Sequence, residues 1–211
     1  VERKHDGLSL KTRTWALGKP GESVLFIGYE LTNTGAEAQS GKLMLAVRPF
    51  QVNPTWQFLN APGGFSPIRS IKRKGNTVVV NDEKLVIECG VDDPSRTKTS
   101  VERGKFGATT LDEGDIGFHL AKGELPEKSE AVDGNGFASG ALSYDFDLPA
   151  GATKKVVLAV PFHGTHDKKL VGMQALNSRE VSVNYWRQRL ARVNVTLPPA
   201  AKDLELTYKA Q

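Results

Sequence analysis

Leu8-Ser9-Leu10-Lys11-Thr12-Arg13-Thr14-Trp15-Ala16-Leu17 opens with alternating apolar and polar positions. A period of two sends one set of side chains to a buried face and the other to water, the pattern of a half-buried strand. Gly18-Lys19-Pro20-Gly21 turns the chain, and residues 24–31 follow as a second strand rich in β-formers (Val24, Phe26, Ile27, Tyr29). Thr32-Asn33-Thr34-Gly35 closes it, since Asn and Gly accept the positive φ of a tight turn. Residues 43–47 are a third strand. The succession of strand, Thr-Asn-Thr-Gly, polar spacer and strand is common in bacterial β-sandwich modules.

Further strands are expected at 68–71, 77–81 and 84–89, around Lys74-Gly75-Asn76 and Asn81-Asp82-Glu83. Short strands at such regular spacing read as a sandwich or barrel. Residues 92–136 are poor in apolar residues and read as long surface excursions. Within them, 106–110 fits a strand and 115–123 a short helix ending at Gly123. Strands at 138–148 and 154–160 complete the set. Leu45-Ala46-Val47-Arg48-Pro49-Phe50 echoes Leu158-Ala159-Val160-Pro161-Phe162, which predicts neighbouring strands leaving one sheet at the same edge. The fold expected is mainly β, with two antiparallel sheets.

Near residue 170 the character changes. Apolar residues at 176, 181, 183, 186, 190 and 193 predict an amphipathic helix over 176–193, capped by Asn177 or Ser178. Arg187, Arg189 and Arg192 near its end suit the helix dipole. Residues 195–199 stop it, and residues 201–211 read as the first turns of another helix. The division is therefore a β domain over 1–175 and a linker helix over 176–211.

Composition narrows the function. The chain has 211 residues, enough to bury a sizeable core without staples. Its formal charge is +4 and its pI about 9.1, and the charges are scattered. The only dense basic cluster, Arg69-Ser70-Ile71-Lys72-Arg73-Lys74, reads as a solvated hairpin end, and no nucleic-acid partner is expected. No run of 18 apolar residues spans a membrane, and no membrane partner is expected. Cys89, the single cysteine, sits in strand-like sequence and reads as an inert buried thiol. The abrupt ends at Val1 and Gln211 suggest a piece of a longer protein, with the periplasm or the outside of the cell favoured over the cytoplasm.

Candidates for chemistry are few. His163-Gly164-Thr165-His166-Asp167 holds the only His-x-x-His, but no third ligand beyond Asp167 is near, and no metal is expected. Asp112, Glu113 and Asp115 are paired-acid candidates for glycoside hydrolysis, with a loop or helix-start role as the plainer reading. Gly134-Asn135-Gly136 lacks the lysine and the strand–loop–helix context of a phosphate loop. No catalytic residue and no cofactor is assigned.

The stretch Arg48 to Gly64 carries more weight. Three prolines and two glycines break it, yet it holds Phe50, Trp56 and Phe58. Arg48, Gln51, Asn53, Gln57 and Asn60 surround Trp56 in sequence. Flat aromatic faces beside planar hydrogen-bonding side chains suit an oligosaccharide or the lip of a neighbouring cleft; the alternative is a plug packed on an open sheet end.

Three segments carry a resemblance. Arg48-Pro49-Phe50 with Ser66-Pro67-Ile68, the strand Lys155 to Pro161, and the run Tyr185-Trp186-Arg187-Gln188-Arg189-Leu190 resemble the β-supersandwich domain that accompanies (α/α)6 six-hairpin glycosidases and glycogen-debranching-like or phosphorylase enzymes. Val195-Thr196-Leu197-Pro198 and Thr207 to Gln211 extend the likeness into the linker. The resemblance implies a galactose-mutarotase-like antiparallel β-supersandwich with a C-terminal linker helix. It also implies a partner, the (α/α)6 helical domain of the same polypeptide, which carries the catalytic acids. The chain itself is then an accessory module packing on that barrel and lining its sugar cleft. A stand-alone mutarotase-like enzyme would instead need His119, His163 or His166 facing a carboxylate across a cleft, and a carbohydrate-binding module would need Trp56 exposed.

Overall fold

A computed structural model describes residues 1–51, 65–92, 103–163, 178–192, 197–204 and 207. The chain is mainly β, built on two antiparallel sheets. In chain order the strands are β1 (Glu2–His5), β2 (Leu8–Leu17), β3 (Val24–Asn33), β4 (Gln39–Val47), β5 (Phe50–Gln51), β6 (Phe65–Ser66), β7 (Ser70–Lys74), β8 (Thr77–Val80) and β9 (Lys84–Asp92), then β10 (Lys105–Thr109), β11 (Glu130–Val132), β12 (Ser139–Leu148) and β13 (Thr153–Pro161). Helix α1 spans Ile116–Ala121 and α2 spans Ser178–Leu190. Among the described residues, no helix is long and apolar enough to cross a membrane.

The larger sheet has the order β1-β2-β3-β13-β9-β8-β7-β11, and the smaller β10-β12-β4; β5 and β6 pair separately. The main core lies between the two larger sheets. Leu31, Ile71, Val78, Val80, Val156 and Leu158 face Leu43, Leu45, Ala108, Leu142, Tyr144 and Phe146. The period of two accounts for this division, because alternate residues of one strand point to opposite faces. Leu31 of β3 enters the main core, whereas Val24 and Phe26 enter a second cluster with Ile87 and Ala159. Trp15 packs on that second cluster, stacked on Phe26 at 5.8 Å and 13°. A Cβ on Gly28 would stand 3.0 Å from the indole, so glycine makes room for the ring.

Turn chemistry fixes the hairpins. Asp6 and Gly7, with φ of 45° and 77°, join β1 to β2. Gly75, with φ of 64°, turns β7 into β8. Asn33 is fully buried and fully used. Its Nδ2 donates to the carbonyls of Glu37 (2.7 Å) and Leu148 (2.8 Å), and its Oδ1 accepts from the Gly35 N–H (2.9 Å). The side chain thereby ties the end of β3 to the end of β12, one sheet to the other.

Several sequence expectations need correction. The echoing strands β4 and β13 lie in different sheets and are not neighbours; their likeness reflects buried strands running out into a proline, not shared position. The basic cluster is only partly a solvated hairpin end. Ile71 is fully buried and the Arg73 side chain reaches a buried carboxylate. The helix does not bury the expected face. Its buried residues are Ser178 and Ser182, while Val181, Trp186 and Leu190 are exposed. Helical geometry explains most of this: at 100° per residue, Arg179, Ser182, Val183, Trp186 and Leu190 fall on one side. The first half of that side meets β2, and the second half continues beyond it. The expected boundary at 175–176 lies outside the described residues.

Candidate functional site

The expected binding loop springs from one end of the sandwich. Pairing of β4 with β12 ends at Val47 opposite Gly140, and Arg48 emerges there exposed. Two residues later β5 pairs with β6, Phe50 opposite Ser66 and Gln51 opposite Phe65. The base of the loop is thus pinched shut by a two-residue ladder. The returning chain is held in turn. Ile68 N–H donates to the Gly136 carbonyl (2.8 Å), and Ala138 N–H donates to the Ile68 carbonyl (3.0 Å). Asn81 clamps the same segment: Oδ1 accepts from Arg69 N–H and Ser70 N–H, and Nδ2 donates to the Pro67 carbonyl.

A carboxylate organises the neighbouring loops. Asp133 Oδ1 accepts from Asn135 N–H (2.8 Å) and Oδ2 from Leu111 N–H (3.3 Å). Burial works to raise its pKa, but backbone N–H donation from Leu111, Asn135, Phe137 and Gly136 outweighs it and holds the carboxyl below its ordinary value. The loop after β10, the stretch before β12 and the return of the Arg48–Gly64 loop are therefore one assembly. That assembly shows apolar surface: Phe50 is 61% exposed and Phe137 40%, with Leu111 and Val132 exposed as well.

Of the expected site residues, Arg48 and the backbone of Gln51 stand at the mouth of this loop. Asn53, Trp56, Gln57 and Asn60 lie outside the described residues. The acidic candidates are used locally. Asp115 caps α1, accepting from Gly117 N–H (2.7 Å). Glu113 pairs with Lys128, whose hydrogen bond holds its pKa down against burial. Both Glu113 and Lys128 line an open groove of about 570 Å³ along β11. Asp112 is exposed.

The described histidines do not converge. His5 sits on the surface beside Asp6 at 3.1 Å, His119 lies in α1, and His163 follows β13 exposed; His166 lies outside the described residues. Among the described residues, no group of three or more His, Cys, Asp and Glu is placed to hold a metal ion. Burial pushes the Cys89 thiol up to about 12, so it is neither nucleophile nor ready metal ligand at neutral pH.

Sequence reading missed one polar cluster entirely. Glu88 is 3% exposed in β9, on the core side. Oε1 accepts from Arg73 Nη2 (2.6 Å); Oε2 accepts from Gly104 N–H (2.7 Å) and from the Tyr144 hydroxyl (2.8 Å). Arg73 also donates to the Gly104 carbonyl. A Cβ on Gly104 would stand 2.8 Å from the Tyr144 ring, so only glycine lets the chain approach this closely. The carboxylate is engaged on both oxygens from two sheets and a loop, which is a structural clamp rather than a poised acid. Its only sequence signal is a Glu between Ile87 and Cys89 in an apolar strand.

No protein-family model matches this chain, and no curated protein matches it.

Proposed function

We propose that this chain is a non-catalytic accessory domain of a multidomain carbohydrate-active, glycoside hydrolase-like protein. In this reading it packs on an (α/α)6 helical domain of the same polypeptide and sets the Arg48–Gly64 loop beside that domain's sugar cleft. The observation that supports it is the exposed apolar surface at the loop end, Phe50 and Phe137 with Leu111 and Val132, raised on a scaffold stiffened by Asp133 and Asn81. Exposed apolar groups gathered on one hydrogen-bonded assembly suit an interaction surface. Arg48 at the loop mouth adds a planar donor suited to sugar hydroxyls or to a carboxylate on the partner.

Hydrogen exchange of the chain alone and joined to a six-hairpin helical domain tests this. Amides of Phe50, Leu111 and Phe137 should gain protection in the joined protein, and the chain alone should turn over no glycoside. Unchanged exchange at all three, or sugar turnover by the chain alone, would overturn the reading.

A further inference from the structure

The large sheet ends at β11, well inside the chain. Ser129 C=O accepts from Arg73 N–H (3.1 Å), and Asp133 N–H donates to the Arg69 carbonyl (2.9 Å). Ser129, Ala131 and Asp133 therefore bond toward β7. Antiparallel strands send alternate residues to opposite sides. The N–H and C=O groups of Glu130 and Val132 thus point out of the sheet, and they have no backbone partner among the described residues. Side chains alternate between the two faces. Ala131 is buried in the main core, so Glu130 and Val132 stand on the outer face, where Val132 is 76% exposed.

The smaller sheet touches this segment just ahead of β11, where Ala108 N–H donates to the Lys128 carbonyl (2.7 Å). Past that bond the groove of about 570 Å³ runs along residues 127–132, lined as well by Thr110 and Glu113. The groove is acidic. Its lysine, Lys128, is committed to Glu113, and Lys72, opposite Glu130 on β7, is committed to Asp82. Glu127 and Glu130 line the groove exposed and make no ion pair among the described residues. Unpaired backbone groups, an exposed apolar side chain and two free carboxylates thus lie along one short edge.

We infer that the outer edge of β11 is a strand-addition site for an extended segment of a partner polypeptide that sets an apolar side chain opposite Val132 and a basic one opposite Glu130. The segment runs antiparallel to β11, so the apolar residue comes first and the basic residue two positions later. Both project onto the outer face, the apolar one against Val132 and the cation beside Glu130, with Glu127 in the same groove. The residue between them turns to the side of Ala131 and is small. Backbone bonds to Glu130 and Val132 supply affinity. An edge this short resists indiscriminate sheet growth, so selectivity falls to the two facing side chains. The site shares Val132 with the apolar surface at the loop end but does not rest on a carbohydrate role.

The test is hydrogen exchange and NMR titration of the chain with a capped peptide, Thr-Val-Ser-Lys-Thr, and a control with Glu in place of Lys. At saturation the Lys peptide should slow exchange of the Glu130 and Val132 amides about fivefold or more, and the Glu peptide should bind at least severalfold more weakly. Val132→Pro removes an outward N–H and leaves the β7 ladder whole, as edge strands tolerate. It should keep the melting temperature and weaken the Lys peptide about tenfold. Glu130→Lys should reverse the Lys-over-Glu preference, and it keeps the test open should the proline variant unfold. No binding at about 1 mM Lys peptide, equal binding of the two peptides, or an unchanged preference in Glu130→Lys overturns the proposal. So does protection of the Glu130 and Val132 amides in the chain without peptide, which would mean that a second copy or the chain itself already covers the edge. Amides of Phe50, Leu111 and Phe137 read the loop end instead, so failure there and failure at β11 are told apart.

Discussion

Replacing Glu88 by glutamine changes one atom of the buried clamp and keeps its shape. The carboxylate accepts from three donors, Arg73, Gly104 N–H and Tyr144, while its side chain is 2% exposed and that of Arg73 17%. An amide has one oxygen. If its NH2 faces Arg73, two donors collide and the guanidinium loses its counter-charge. If it faces Gly104 N–H, a buried backbone donor is orphaned. Each mispaired buried group costs about 1–3 kcal/mol, and breaking a buried ion pair outright costs about 3–5 kcal/mol. Glu88→Gln keeps some bonds in either orientation, so about 3 kcal/mol is expected. For a chain of this size that lowers the melting temperature by roughly 6–12 °C. Urea unfolding of Glu88→Gln, Tyr144→Phe and the double variant measures it. Tyr144→Phe alone should cost about 1 kcal/mol, because Gly104 N–H still serves Oε2. The double variant should lose less than the sum of the two. A Glu88→Gln variant within about 0.5 kcal/mol of the parent would refute the claim that the clamp holds the two sheets together.

Three further outcomes follow from described contacts. The Asp133 carboxyl has a lowered pKa in the fold, so its contribution is complete above the ordinary carboxylate range and falls away as pH drops below about 4 toward the folded value; exchange of the Leu111, Asn135 and Phe137 amides should quicken on acidification, and Asp133→Asn should remove that pH dependence. Cys89, with its thiol pushed up to about 12 by burial, should resist an aromatic disulfide reagent at pH 8 in the folded chain and react at once in denaturant. Gly107→Ala would place a Cβ 2.2 Å from the Pro126 carbonyl oxygen, and about 1–3 kcal/mol of destabilisation should appear in thermal unfolding.

Most of the fold was legible because strand pattern is local. β2, β3, β8, β12 and β13 each carry alternating or β-branched residues that sterics read directly. β1 was missed although Asp6-Gly7, a strong hairpin signal, lies between it and β2; its own residues, Glu-Arg-Lys-His, are all exposed and show no apolar alternation. β11 was missed because only Ala131 of its three residues is buried. The helix misled because Trp186 and Leu190 share a face with Ser182 that leaves the sheet partway along. Of the expected site residues, Arg48 stands exposed at the mouth of the loop beside Phe50, while Asn53, Trp56, Gln57 and Asn60 lie outside the described residues. The Glu88 clamp was not legible, since Arg73 and Tyr144 stand 15 and 56 residues away and meet only through the sheet order.

That sheet order also sets a schedule. β13 lies between β3 and β9 and joins a front block, β1-β2-β3, to a middle block, β9-β8-β7-β11. Within these blocks β1-β2-β3 and β7-β8-β9 are runs of sequence neighbours that can zip early, and β11 joins β7 only from residues 130–132. Neither can reach the other until residues 153–161 have left the ribosome, more than a hundred residues after β3. Until then β3 and β9 each present a naked ladder, the condition that invites misassembly during synthesis. Closure waits on a long-range pairing, which slows folding. A nascent chain that ends before Thr153 carries both blocks and no strand to unite them, so the late strand β13 is the keystone of biogenesis as well as of the finished sheet.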